Sequence, residues 1–181
     1  MKFIKNTVVW IIIIICSPYI LGYMVYQIYV RKRFLSLLLS GLPKDIRSHE
    51  IHKIMWGEKN EISEALEDSL HDLKEKNYWV NVSIDWHDVD EVEPQANSQI
   101  KHYGIKDTFV LNSSHEYESV WQALVTYDVW LKTRGYEFVL WDQGSDEYTG
   151  FICDSRTHSK FLKLGNKVGL NLVRLDHENE Q

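Results

Sequence analysis

Cysteine is nearly absent from the chain, at two residues in 181. Cys16 falls inside a long apolar run and Cys153 stands alone in the remainder, so no disulfide can form within the globular part, which suits a reducing compartment without requiring one. A CxxC pair, a glycine-rich phosphate loop and a Ser–His–Asp signature are all missing. The familiar sequence marks of redox, nucleotide and hydrolase chemistry are therefore not written here. No repeat or low-complexity stretch occurs either. Acidic residues are missing from one region only: residues 1–33 carry Lys2, Lys5, Arg31, Lys32 and Arg33 and no Asp or Glu. Those five are taken from 20 basic residues, leaving 15 against 26 acids, a net of −11 from Phe34 onward. An acidic body repels phosphate backbones, which disfavours nucleic acid as a partner. It suits a basic protein partner, although acidity that serves solubility alone is the blander reading.

What is present begins with ordinary globular composition, 44% hydrophobic and 25% charged, enough to form a core. From Thr7 to Val30 there are 24 residues without a charge, including the run Ile11 to Ile15. At 1.5 Å per residue, about 20 apolar residues cross a bilayer core, so the expectation is a transmembrane helix with the lipid bilayer as partner. Pro18 should kink it, and Tyr19, Tyr23, Tyr26 and Tyr29 share roughly one helical face, as an interfacial aromatic belt would. A cleaved signal peptide fits less well, because the apolar stretch runs past Cys16 with no small-x-small site before Arg31. Positive charge is denser on the C-terminal flank, which favours single-pass insertion with a cytoplasmic domain; an N-in anchor is the alternative. The chain then divides into a short polar tail (1–6), a membrane span (7–30), a basic and apolar juxtamembrane segment (31–43) and an acidic globular domain (44–181). Phe34 to Leu42 is too short to span; it continues the helix along the interface or docks on the domain.

Within the domain, Asn60 to Lys76 is amphipathic at helical spacing, with Ile62, Ala65, Leu66, Ser69, Leu70 and Leu73 on one face. Tyr78 to Trp86 alternates as a strand, with Val80, Val82 and Ile84 on one side and Trp79, Asn81, Ser83 and Asp85 on the other. Asp88 can cap a helix through about His102 that Gly104 stops, and Ser114 opens another closed by Gly135. Tyr136 to Asp142 and Glu147 to Asp154 flank Gln143-Gly144-Ser145-Asp146 as a hairpin. Ser155 caps a last helix to Gly169, and Leu170 to Leu175 makes a final strand. The order predicts an α/β or α+β domain with a central sheet of about four strands and flanking helices, behind an N-terminal transmembrane helix.

Asp85-Trp86-His87-Asp88, at the end of a strand, is the cluster most able to carry chemistry. It could bind a divalent metal or act as an acid–base pair, with Asp142 and Asp146 of the hairpin converging on it. The plainer reading makes Asp85 and Asp88 turn and cap residues and leaves His87 exposed. His49 and His52, three apart, lack the third ligand and the spacing of a zinc site. Cys153 reads as core. Most tryptophans also read as core, whereas Trp79 and Trp86, with Asp85, are expected at a partner-facing surface.

A strand ending in Asp85-Trp86, a helix bearing Val120-Trp121 and the hairpin LWDQGSDEY from Leu140 to Tyr148 are followed by a closing helix and strand. Over Tyr78 to Leu175 this pattern resembles an uncharacterised bacterial domain family, similar in style to toxin-immunity proteins and other interaction modules. The resemblance brings no catalytic residue, metal or cofactor to transfer. The expectation is a membrane-anchored, non-enzymatic interaction module, with toxin immunity as its specific version. A metal-dependent hydrolase using Asp85, His87, Asp88 and Asp142, and a membrane-complex assembly factor, are the alternatives.

Overall fold

The computed structural model describes residues 2–59, 61–111 and 119–175, with side chains from residue 18 onward. Six helices are described: α1 (Lys2–Leu38), α2 (Lys44–Trp56), α3 (Ile62–Glu75), α4 (Val92–His102), α5 (Val120–Lys132) and α6 (His158–Lys167). Four strands, β1 (Asn81–Asp85), β2 (Tyr136–Trp141), β3 (Glu147–Asp154) and β4 (Leu172–Arg174), form one sheet in the order β1-β3-β2-β4. All three pairings are antiparallel, which makes the class α+β.

Alternation along the strands gives each face its own core. Val82, Ile84, Phe138, Leu140 and Ile152 point to one face and are covered by α4 and α5, where Ala96, Ile100, Val120, Leu124, Tyr127 and Leu131 are buried. Val139, Trp141, Phe151, Cys153 and Leu172 point to the other and meet α1, α2, α3 and α6. Close approach is built in at Gly150, where an added Cβ would lie 2.0 Å from Cζ of Phe138.

Helix α3 buries the six residues its periodicity names. It ends because Asn77 takes the left-handed conformation (φ 64°), which lets Tyr78 N–H donate to the Leu73 carbonyl and turns the chain into β1. Helix α5 is capped by the Ser119 hydroxyl, which accepts from Gln122 N–H; the expected start at Ser114 lies outside the described residues. Asp88 precedes a 3₁₀ turn (Val89–Glu91) without a side-chain cap, and α6 starts at His158 rather than after a Ser155 cap. Glu50, between the two histidines, turns inward on α2 with Ile54: it is buried and accepts a 2.6 Å bond from Ser69 Oγ. His49 and His52 are exposed.

The expected membrane architecture is overturned. Among the described residues, no helix is long and apolar enough to cross a membrane. The transmembrane span Thr7 to Val30, the bilayer as partner through it, and the single-pass localisation with a cytoplasmic domain are therefore not supported. The side chains of residues 7–17 of that run lie outside the described ones. The last residue of that run and the apolar sequence beyond it are used inside the protein. Val30, Phe34, Leu35, Leu38, Leu39 and Leu42 are buried in the core that α1 shares with α6 and the sheet, and Phe34 packs 5.3 Å from Phe161. The tyrosine stripe is exposed (Tyr19 by 78%), except that Tyr26 accepts a bond from Lys167 Nζ.

Candidate functional site: an acidic cleft on the sheet

The sheet face that meets α1 and α6 is apolar over β2 and turns polar over β1 and the start of β3. Strand register sets this floor: Ser83 pairs with Thr149 and Asp85 with Glu147, while Asn81 pairs with Phe151, where the core begins. Helix α3 stands over the same edge but does not close on it. Between them lies a cleft of about 820 Å³. Asn81, Ser83, Asp85, Thr149 and Glu147 make the floor, and Glu67, Leu70, His71 and Lys74 of α3 make one wall. Trp141 and the hairpin residues Gln143, Ser145 and Asp146 complete it.

The floor is internally bonded. Ser83 Oγ donates to Glu147 Oε2 at 2.7 Å, and Thr149 Oγ1 lies 3.3 Å from Ser83 Oγ. Gln143 Nε2 reaches across to Glu67 Oε1 at 2.5 Å, tying the hairpin to α3. Beneath the floor, β1 is an edge strand and its free edge is closed by Gln95 of α4, which accepts from Ser83 N–H (3.1 Å) and donates to the Ser83 carbonyl (3.0 Å). A side-chain amide thus stands in for a missing neighbour strand.

Charge in the cleft is unbalanced. Four carboxylates, Glu67, Asp85, Asp146 and Glu147, line it, and none forms an ion pair among the described residues. Lys74, also in the lining, donates its ammonium to Gln95 Oε1 at 3.2 Å and sits 4.6 Å above the Trp79 ring. Burial lowers the Lys74 pKa, with Glu91 and Glu147 opposing that shift.

The residues singled out in the sequence separate into two groups. Asp85 and Asp146 enter the cleft. Asp85 is also a turn residue, its Oδ1 accepting from His87 N–H. Asp142 does not converge with them; its carboxylate accepts from Gly144 N–H and Asn171 Nδ2 and so pins the hairpin loop. The Trp86 and His87 rings lie 3.6 Å apart at a tilt, and Trp86, 51% exposed, is outside the cleft lining, with its backbone N–H donating to the Asp146 carbonyl. Asp88 is exposed in the turn, and Trp79 is half-buried under Lys74. Among the described residues, no group of three or more His, Cys, Asp or Glu is placed to hold a metal ion.

Sequence reasoning missed Glu67, Lys74, Asn81, Ser83, Glu147 and Thr149. The signal was there in part: the polar half of the β1 alternation continues across the sheet in Glu147 and Thr149. No curated protein and no solved structure matches the chain. Residues 39–176 match a family described as a domain of unknown function (DUF6630), which agrees with the resemblance to an uncharacterised domain family, and over that length the chain belongs to it.

Proposed function

We propose that the domain is a non-enzymatic protein-interaction module whose cleft takes a basic segment of a partner protein. One observation carries the reading: four carboxylates line a single concave site without an ion pair among the described residues. A binding segment that supplies the missing cations gains Coulomb energy in a partly desolvated groove and is steered there by the net charge of −11 beyond residue 33. Trp86, exposed and next in sequence to the cleft residue Asp85, is an aromatic side chain of the kind that contributes most at interfaces. Neutralising a basic toxin is the specific version of this role. The metal-dependent hydrolase alternative lacks a ligand set among the described residues.

The test is a titration of the full chain with a fluorescent Lys/Arg-rich peptide, beside an acidic peptide of equal length, at two salt concentrations. The basic peptide is expected to bind, more weakly in high salt, and the variant Asp85→Asn/Asp146→Asn/Glu147→Gln is expected to lose about tenfold or more. Equal binding by the triple variant, or equal binding of both peptides, would refute the cleft as the site.

A further inference from the structure

An open sheet ends in two strands that each have one unpaired side; among the described residues these are β1 and β4. An unpaired side offers backbone N–H and carbonyl groups to another strand, including the same strand of a second copy. On β1 the outward groups of the middle residue, Ser83, are already taken by the Gln95 amide of α4, at 3.1 and 3.0 Å. The edge of β4 is held in the same manner. Asp142 N–H donates to the Asn171 carbonyl, so alternation turns the Leu172 N–H and carbonyl away from β2. There they meet Asn166 of α6: Leu172 N–H donates to Asn166 Oδ1 at 2.7 Å, and Asn166 Nδ2 donates to the Leu172 carbonyl at 3.2 Å. Gly165 allows this approach, since a Cβ there would lie 2.2 Å from Leu172 Cδ1. Two helices on opposite faces of the sheet thus each supply one donor and one acceptor to an edge, as a residue of a paired strand would.

We infer that Gln95 and Asn166 keep the domain from pairing edge to edge with a second copy of itself. Ser83 is the middle residue of the five in β1. Two copies related by a twofold axis would bring their Ser83 residues opposite each other, exchanging the two backbone bonds that Gln95 now holds. The strand itself offers little hindrance, because Asn81–Asp85 contains no proline or lysine and a single charge, Asp85. The closure is independent of what the cleft binds.

The experiment follows amide hydrogen exchange at Ser83 and Leu172 by NMR in the full chain, at a low and a high protein concentration. In the unmutated protein both amides are expected to be protected equally at the two concentrations. Gln95→Ala should speed Ser83 exchange about tenfold or more at low concentration, the worth of a lost hydrogen bond. Protection should return at high concentration as β1 pairs with β1. Asn166→Ala should do the same at Leu172. Association through the exposed apolar residues of α1 leaves these two amides unaffected. Protection of Phe138 N–H, which is bonded to buried Asp128, shows that a variant is folded. Asn166 is exposed, so Asn166→Ala carries the test if Gln95→Ala does not fold. Exchange that stays fast at high concentration in a folded variant, or stays slow at low concentration, would overturn the inference. So would protection that rises with concentration in the unmutated protein.

Discussion

Replacing Gln95 by methionine, nearly equal in volume, removes the amide that closes the free edge of β1 without opening a cavity. Two backbone hydrogen bonds go with it, from Ser83 N–H at 3.1 Å and to the Ser83 carbonyl at 3.0 Å. Lys74 loses its acceptor at 3.2 Å as well. Each bond contributes about 0.5–1.5 kcal/mol net, and Gln95 is only 7% exposed, so water replaces its contacts poorly. The expected loss is roughly 2–3 kcal/mol, or a fall in Tm of about 4–12 °C for a chain of this size. Urea unfolding followed by tryptophan fluorescence reads the free energy, and amide exchange at Ser83 reads the edge directly. The midpoint should fall with m unchanged, and Ser83 should exchange faster. A loss below about 0.5 kcal/mol with Ser83 still protected would refute the claim that Gln95 holds this edge.

Acidification should destabilise the fold through His158, which is 1% exposed with its Nε2 buried and unpartnered. Burial lowers its pKa from the ordinary 6.5 against the opposing pull of Glu137, and burial lowers that of His102 as well. Below about pH 6.5 the unfolded chain therefore binds protons the folded one does not, so stability is full above that pH and is lost as pH falls. The difference in urea midpoint between pH 7.5 and 5.5 should shrink in His158→Gln/His102→Gln; an unchanged difference would remove these histidines from the account. Gly150→Ala drives a methyl into the Phe138 ring and should cost about 1–3 kcal/mol in the same unfolding assay, whereas a neutral result would mean the ring yields freely. The Cys153 thiol, pushed up to about 12 chiefly by burial, should resist maleimide or disulfide reagents at pH 8 in a Cys16→Ser background and react once urea unfolds the chain. Rapid labelling of the folded protein would show that the site opens.

Periodicity and turn chemistry were enough to place several elements from the chain alone. The spacing of Ile62, Leu66, Leu70 and Leu73 names α3 and its buried face, and alternation from Val80 to Ile84 names β1 and the side that carries Asp85. The hairpin around Gly144 is local as well, since its turn residues and its two strands are neighbours in sequence. The cleft could not be read this way. Its wall is set by how α3 stands over a sheet edge, and its floor by the register that puts Thr149 beside Ser83 and Glu147 beside Asp85, more than 60 residues away. Neither fact has a local cause. The same limit kept two readings open for Phe34 to Leu42, because apolar residues look alike whether their partner is lipid or protein. Only packing shows that Phe34, Leu35 and Leu38 are spent on Phe161 and the sheet. Asp142 looked like a partner for Asp85 because both end strands in sequence; the fold instead uses its carboxylate to hold Asn171. What the sequence by itself determined was the local elements, the excess of negative charge and the polar alternation along β1. Tertiary structure alone decided which of those polar residues share a cavity, because that depends on strand pairing and helix placement between distant segments.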